Sequence, residues 1–139
     1  MSIHRNRLGN VSNGFQGKFR RVLCVCSAGL LRSPTLAEIL SQPPYNFNTR
    51  AVGIAKEFAL IPIDMAHAAW ADDIVVFNIE QFDVVNELLD CAEMNGFERA
   101  NVHIFPVEDD YSFRDPQLVQ ILKELAEQNL IDRLLSHQT

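Results

Sequence analysis

Three residues early in the chain have the types and spacing needed to act on a phosphoryl group. Cys26 ends an apolar segment, Arg32 follows it by six residues, and Ser33 comes directly after the arginine. A cysteine reacts as its thiolate, and a guanidinium can bind two phosphate oxygens at once. The spacing therefore predicts a loop in which sulfur attacks phosphorus while the arginine holds the phosphoryl oxygens.

The segment from the cysteine to the arginine is typical of a loop that opens into a helix. Pro34 suits the first turn of a helix, and Gly29 permits backbone conformations that bring several N–H groups together. N–H groups at a helix N-terminus attract anions. We therefore predict a phosphate-binding loop made of Ser27, Ala28, Gly29, Leu30, Leu31 and Ser33. The two serine hydroxyls should also stabilise the thiolate.

Short apolar segments alternate with amphipathic ones along the chain. The predicted strands are 21–26, 49–52, 74–77 and 101–105, and the predicted helices are 34–41, 62–71, 79–95 and 116–137. Apolar strands separated by helices favour a parallel α/β sheet with helices on both faces. In such sheets ligands bind beyond the carboxyl ends of the strands, which is where Cys26 lies.

Length and composition predict one ordinary globular domain. The chain has 139 residues, of which 47% are hydrophobic and 22% charged. Residues 1–20 carry four basic and no acidic side chains, so the remainder has a net charge of −10. We therefore predict a flexible basic arm over residues 1–19 and a single α/β domain over 20–139. A net charge of −6 argues against nucleic acid as a partner.

The cysteines, histidines and apolar runs exclude several other classes. Three cysteines make no disulfide framework, and the four histidines have no spacing typical of a metal site. No apolar run is long enough to cross a membrane, and no secretory signal is recognisable. The sequence therefore predicts a cytoplasmic protein with no metal or other cofactor and no membrane association.

The leaving group of such a reaction needs a proton, so a carboxylic acid should face the loop. The acidic stretch Glu108–Tyr111 follows the fourth predicted strand and should reach the same edge of the sheet. Two adjacent carboxylates favour protonation of one of them. Asp109, Asp110 and Asp115 are the alternatives, although Asp115 before Pro116 is also a typical helix N-cap.

Two motifs together resemble a known family. The pattern Cys26-x5-Arg32-Ser33 after a first strand resembles the signature of the low-molecular-weight protein tyrosine phosphatases. Ala51-Val52-Gly53 is similar to the end of that family's second strand, and Glu108-Asp109-Asp110-Tyr111 resembles its acid loop. The resemblance implies a three-layer α/β fold with a four-stranded parallel sheet in the order 2-1-3-4. The implied reaction is hydrolysis of a phosphotyrosine protein or a small aryl phosphate through a phosphocysteine.

The resemblance also assigns roles and exposes departures. It implies that Asp109 is the general acid and that Tyr111 and Phe47 form the walls of the substrate cleft, with Asp110 beside the acid. The family has proline where Asp110 stands, which leaves the identity of the acid open. It has asparagine at the position of Gly29 and often a second cysteine at the position of Leu31. The loop is therefore expected to be less rigid and to lack redox protection.

Other functions fit parts of the pattern. The sequence Cys26-Ser27-Ala28-Gly29 also resembles the loop of the IIB subunits of sugar phosphotransferase systems, which carry a phosphocysteine. Arg32 favours hydrolysis over that carrier role, because it grips the departing phosphoryl group. A thiol-dependent arsenate reductase needs a relay of further cysteines, and only Cys91 is available later in the chain. A non-catalytic phosphate-binding module is the remaining alternative.

Several other conspicuous residues are predicted to be structural. Cys24 and Cys91 have apolar neighbours and are expected to be small core residues. Asp72 and Asp73 are expected to form a solvated turn, and Arg50 to be a surface charge.

Overall fold

The computed structural model describes residues 20–27, 32–55, 61–108 and 113–138, in which strands and helices alternate. The strands are β1 (Arg21–Cys26), β2 (Asn48–Gly53), β3 (Asp73–Val76) and β4 (Asn101–Ile104). The helices are α1 (Arg32–Ser41), α2 (Met65–Trp70), α3 (Ile79–Met94) and α4 (Pro116–Gln138). The predicted arm over residues 1–19 lies outside the described residues, so the division of the chain at residue 20 stays a prediction.

The four strands form one parallel sheet in the order β2-β1-β3-β4. The central strand β1 pairs with β2 from Arg21 to Cys26 and with β3 from Val22 to Cys24. β3 pairs in turn with β4. The predicted parallel sheet and its strand order are confirmed. Because all strands run in one direction, the segments that follow β1, β3 and β4 leave the sheet at the same edge.

Each face of the sheet has its own hydrophobic cluster, so the protein has the three layers that were predicted. The cluster under α1 and α4 takes from β1 the side chains of Val22, Cys24 and Cys26. The cluster under α2 and α3 takes from the same strand Leu23 and Val25. Successive residues of a strand alternate between its faces. A strand covered by helices on both sides is therefore apolar throughout, which is the pattern that predicted β1.

The N-termini of two helices differ from the prediction. α1 begins at Arg32, two residues before the Pro34 that was expected to open it. Proline fits the third helical position because the N–H groups of the first turn have no acceptor within the helix. α2 covers only Met65–Trp70 because Asp64 caps it, accepting a hydrogen bond from the backbone N–H of His67. Asp64 could have been identified as an N-cap from its residue type.

The prediction that Asp73 lies in a solvated turn is wrong. Asp73 is the first residue of β3 and has no exposed surface. Its carboxylate accepts a hydrogen bond from Arg20 Nε, and its Oδ1 lies 3.0 Å from His103 Nε2. A buried carboxylate is costly unless it is paired and hydrogen-bonded. Both partners are far away in the sequence, so no local pattern indicates them.

Replacing Asp73 with alanine is expected to lower the free energy of unfolding by about 3 kcal/mol, because Arg20 and His103 then lose their shared carboxylate. Urea denaturation at neutral pH measures this. The adjacent Asp72→Ala is a matched control with an expected loss of about 1 kcal/mol or less. Asp72 is one-third exposed and pairs with Arg21 at the surface. Equal losses in the two variants would contradict the assignment of Asp73.

Asp72 also contributes to the pH dependence of stability. Burial acts to raise its pKa, but hydrogen bonds from the side chain and the backbone of Arg21 outweigh burial and lower the pKa. A carboxyl group whose pKa is lower in the folded state stabilises the protein above its unfolded-state pKa. That contribution is lost as the pH falls through the folded-state pKa.

Arg50 is not the surface charge that the sequence predicts. It is 7% exposed, and its Cζ lies 4.2 Å from the centre of the Trp70 ring. A guanidinium stacks well on an aromatic face because it is planar and weakly hydrated. Arg50 is therefore a structural residue between β2 and α2, on the face of the sheet opposite α1.

Candidate active site

Cys26 ends β1 at the carboxyl edge of the sheet, and its sulfur has a hydroxyl neighbour from α1. The residue is 3% exposed, and its Sγ lies 3.0 Å from Ser33 Oγ. Ser33 Oγ also lies 3.4 Å from the carbonyl oxygen of Val52. A serine has one hydroxyl proton, so it can donate either to Val52 or to sulfur. Once the thiol has ionised, donation to sulfur becomes charge-assisted and is favoured.

The start of the loop after Cys26 is held by the segment that follows β2. The N–H of Ile54 donates to the carbonyl of Cys26 at 3.0 Å, and the N–H of Ala55 donates to the carbonyl of Ser27 at 2.8 Å. The pairing of β1 with its neighbour thus continues beyond the end of the strand. These two hydrogen bonds hold the backbone of Cys26 and Ser27 in place, and they thereby restrict the positions of the Cys26 sulfur and the Ser27 hydroxyl.

Arg32 is buried at the start of α1 and contacts two other segments. Its Nη1 donates to the carbonyl of Val107 at 2.7 Å, and its Cζ lies 5.3 Å from the centre of the Phe77 ring. Val107 follows β4 and Phe77 follows β3, so Arg32 joins the loops of three strands. The carbonyl and the ring together restrict where the guanidinium can point.

Arg32 and Ser27 line the same cleft, which has a volume of about 460 Å³. The cleft lies at the carboxyl edge of the sheet, where the sequence places the active site. Its other walls come from the segments after β3 and β4 and comprise Phe77, Asn78, Pro106, Val107 and Glu108. A guanidinium and a hydroxyl that face one cleft are suited to binding an oxyanion.

A larger groove of about 630 Å³ lies between α1 and α4, with Tyr45 and Arg114 among its lining residues. Of the predicted site residues that the structure describes, none lines this groove. The reactive side chains, rather than the volume, therefore identify the site, and the smaller cleft is the candidate active site.

Seven of the predicted site residues lie outside the described residues. They are Ala28, Gly29, Leu30, Leu31, Asp109, Asp110 and Tyr111. Asp115 is described, and its Oδ1 accepts a hydrogen bond from the backbone N–H of Gln117 at 2.8 Å. This contact is that of a helix N-cap, so it supports the structural interpretation of Asp115.

Phe47 does not line the cleft in the structure. It has no exposed surface, and its ring packs in the core at 5.4 Å from the ring of Tyr45. A side chain that forms a wall for a substrate needs exposed surface, so we assign Phe47 to the core instead. Phe47 directly precedes the edge strand β2, whose first three residues are buried. Residue type alone does not distinguish an aromatic side chain that lines a cleft from one in the core.

The other two cysteines differ from each other. Cys24 is fully buried, as predicted, and burial followed by the nearby Cys26 raises the pKa of its thiol, so it stays protonated. The core prediction for Cys91 is wrong. Its thiol is exposed on α3, and its Sγ lies 3.4 Å from Met65 Sδ. The described residues contain no group of three His, Cys, Asp or Glu side chains that could hold a metal ion.

Comparison with solved structures decides the fold. The YwlE arginine phosphatase from Geobacillus stearothermophilus superposes with a TM-score of 0.52 and 17% identity, over 83% of this chain and 96% of that one. A YwlE mutant from Bacillus subtilis superposes with a TM-score of 0.51 and 16% identity, over 78% of this chain and 97% of that one. The chain has the YwlE fold.

This is the fold type that the motifs implied, so the resemblance to the low-molecular-weight phosphatases is confirmed at the level of the fold. No protein-family model and no curated protein matches the sequence. At 16–17% identity this similarity shows the fold alone. The chemistry is therefore inferred from the side chains of this protein. Among the described residues, no helix is long and apolar enough to span a membrane.

Gln81 was not among the predicted site residues, and it is fully buried next to Ser27 of the cleft. Its side chain contacts Ser27 and the backbone of Phe77. A glutamine three residues after Asn78, at the start of a helix, matches the pattern of a capping box and could have drawn attention to it. The contact of Arg32 with Val107 had no such signal, because 75 residues separate the two.

Removing the Ser33 hydroxyl is expected to slow turnover of an aryl phosphate by about 10-fold to 100-fold. A hydrogen bond to a charged sulfur contributes about 1.5–3 kcal/mol, and the Ser33→Ala variant lacks it. Steady-state kinetics measure the effect. Ser41→Ala in the same helix is the control, because Ser41 Oγ donates to the carbonyl of Glu38 rather than to sulfur. A loss of equal size in both variants would point to helix stability and contradict the role of Ser33.

Proposed function

We propose that the protein is a cysteine-dependent phosphomonoesterase that acts on phosphotyrosine in proteins. The observation that carries the proposal is the pairing of Cys26 with Ser33 at 3.0 Å, next to a cleft lined by Ser27 and Arg32. A nucleophile and a group that stabilises its anion are thus the chain neighbours of Ser27 and Arg32, the two cleft-lining side chains that can bind a phosphoryl group. The YwlE fold, which hosts a phosphatase in Geobacillus, supports the same reaction class.

In the proposed reaction the Cys26 thiolate attacks phosphorus, a sulfur–phosphorus bond forms, and the bond from phosphorus to the leaving oxygen breaks. Arg32 and the loop amides hold the phosphoryl oxygens, and Asp109 donates a proton to the leaving oxygen. Water then attacks the phosphocysteine, and the Asp109 carboxylate takes the proton of that water. Inorganic phosphate leaves, and both the thiolate and the carboxylic acid are restored.

The identity of the acid is tested by comparing three carboxylates. We expect Asp109→Asn to lower kcat for an aryl phosphate by roughly 10²–10⁴-fold, as is typical for loss of a general acid. Asp110→Asn should have a much smaller effect, and Asp115→Asn should have none because asparagine also caps helices well. If Asp110→Asn rather than Asp109→Asn shows the large loss of kcat, the general acid has been assigned to the wrong residue. If all three variants keep full activity, none of these three aspartates is the acid.

The cleft also bears on the carrier and binding-module alternatives. A phosphate carrier has to retain its phosphocysteine, whereas Arg32 at the cleft favours transfer of the phosphoryl group to water. Incubation with a phosphorylated donor protein separates these cases. Stable labelling of Cys26 without release of phosphate would rule out the phosphatase, and phosphate binding without any turnover would indicate a binding module.

A second candidate substrate is phosphoarginine, since the Geobacillus protein of this fold is named an arginine phosphatase. Glu108 lines the cleft, and a carboxylate there would attract a guanidino group. Phe77, Pro106 and Val107 give the same cleft apolar walls that suit a tyrosine ring. Comparing kcat/KM for peptides that carry phosphotyrosine or phosphoarginine decides between the two substrates. Glu108→Gln should lower only the activity on phosphoarginine.

A further inference from the structure

Gln81 occupies an unusual position at the start of α3. It is the third residue of the helix, and its backbone N–H donates to the side chain of the N-cap residue Asn78 at 2.9 Å. In a capping box the third residue bonds back to the N-cap backbone. Here the side chain reaches one residue further, and its Oε1 accepts from the N–H of Phe77 at 2.6 Å. This contact fixes the orientation of the buried amide.

Because Oε1 faces the backbone of Phe77, the Nε2 end of the amide faces Ser27. It donates to Ser27 Oγ at 3.4 Å. An amide nitrogen can only donate, so Ser27 has to accept this bond through its oxygen. Ser27 therefore does not donate its hydroxyl proton to Gln81. Ser27 lines the cleft together with Arg32, so its proton is in a position to be donated to a group bound there.

We propose that Gln81 is a positioning residue that makes Ser27 a hydrogen-bond donor to the phosphoryl group. The backbone N–H of Phe77 sets the direction of the bond between Gln81 and Ser27, because it binds Oε1 and leaves Nε2 for Ser27. The inference rests on the proposed function only in naming the ligand as a phosphoryl group. Gln81 touches no substrate and acts through the hydroxyl of Ser27. The same side chain braces Phe77, whose ring lies beneath the guanidinium of Arg32.

The substitution Gln81→Glu tests this polarity because it keeps the shape and reverses one bond. One carboxylate oxygen still accepts from Phe77, while the other accepts the proton of Ser27 and turns it away from the cleft. We expect kcat/KM for an aryl phosphate to fall by about 10-fold or more. The affinity for inorganic phosphate should fall by a similar factor. Gln81→Met removes the donor to Ser27 and the acceptor for the Phe77 N–H without adding charge, and it should lower kcat/KM by a smaller factor, about 3-fold to 10-fold.

The double-mutant cycle with Ser27→Ala separates positioning from general damage. If Gln81 acts mainly through the Ser27 hydroxyl, most of the loss of phosphate affinity caused by Gln81→Met disappears in the Ser27→Ala background. Equal losses in both backgrounds would overturn the proposal, because they would reflect altered packing or the added charge. Gln117→Glu, which changes the same side chain at an exposed position of α4, controls for the change in net charge.

Phosphate affinity measured by calorimetry in a Cys26→Ser background makes the test independent of turnover. If the wild-type protein hydrolyses no phosphate ester, the proposed function fails while the affinity cycle still tests the inference. If turnover is normal but the cycle shows no coupling between Gln81 and Ser27, the inference fails alone. Urea denaturation of Gln81→Met should show a folded protein, so that a change in affinity cannot be ascribed to unfolding.

Discussion

Replacing Cys26 with serine is expected to lower the turnover of an aryl phosphate by roughly 10⁴-fold or more, because the hydroxyl of serine is a far weaker nucleophile than a thiolate. The substitution is nearly isosteric, and Ser33 Oγ at 3.0 Å can still bond to the new hydroxyl. The protein should therefore remain folded and bind inorganic phosphate. Steady-state kinetics and phosphate titration measure the two properties separately.

Two cysteines serve as controls for Cys26. Cys91→Ser changes an exposed thiol on α3 and should leave turnover within about 2-fold of the wild type. Cys24→Ala removes a fully buried thiol from the same strand and should lower stability while leaving the chemistry intact. The mechanism is wrong if Cys26→Ser keeps wild-type activity, or if Cys91→Ser loses as much as Cys26→Ser.

Replacing Arg32 with lysine is expected to lower kcat/KM by about 10²–10³-fold, although the positive charge is kept. A lysine cannot form the bidentate fork with a phosphoryl group, and its compact ammonium group does not stack on the Phe77 ring in the same way. The loss should appear in kcat as well as in KM, because charge on the phosphoryl oxygens is redistributed in the transition state. Inhibition by inorganic phosphate should weaken in parallel.

Arg50→Lys is the matched control for Arg32→Lys. Both arginines are buried and lie over an aromatic ring, but Arg50 stacks on Trp70 between β2 and α2. This control should lower the free energy of unfolding and leave kcat/KM close to the wild-type value. If the two variants lose activity equally, the effect of Arg32 is on folding, and its assignment as phosphate ligand does not stand.

The chain order of apolar and amphipathic segments was enough to predict the sheet, because a parallel strand covered on both faces has to be apolar throughout. β1 was predicted with the bounds it has in the structure, and β3 lies one residue earlier than predicted. Likewise the pairing of Cys26 with Ser33 follows from local geometry. The strand ends at the cysteine, and the serine lies in the first turn of the helix that the loop opens.

Contacts between distant segments had no local signal in the sequence. Asp73 was predicted to be solvated, yet it is fully buried because Arg20 and His103 reach it from separate segments. Phe47 was predicted to be a cleft wall, yet it packs in the core. In both cases the residue type allows exposure or burial, and the decision depends on which side chains the fold brings against it.

The sequence by itself was enough to predict the reactive group, because the six-residue spacing from Cys26 to Arg32 and the adjacent Ser33 are set by the covalent chain. The walls of the cleft were set by tertiary structure, since the segments after β3 and β4 meet the loop only when the strands pair. Gln81 belongs to this second class. Its amide bonds to the nearby backbone of Phe77, and it acquires a partner at the active-site loop only once the fold places Ser27, 54 residues away in the sequence, beside it.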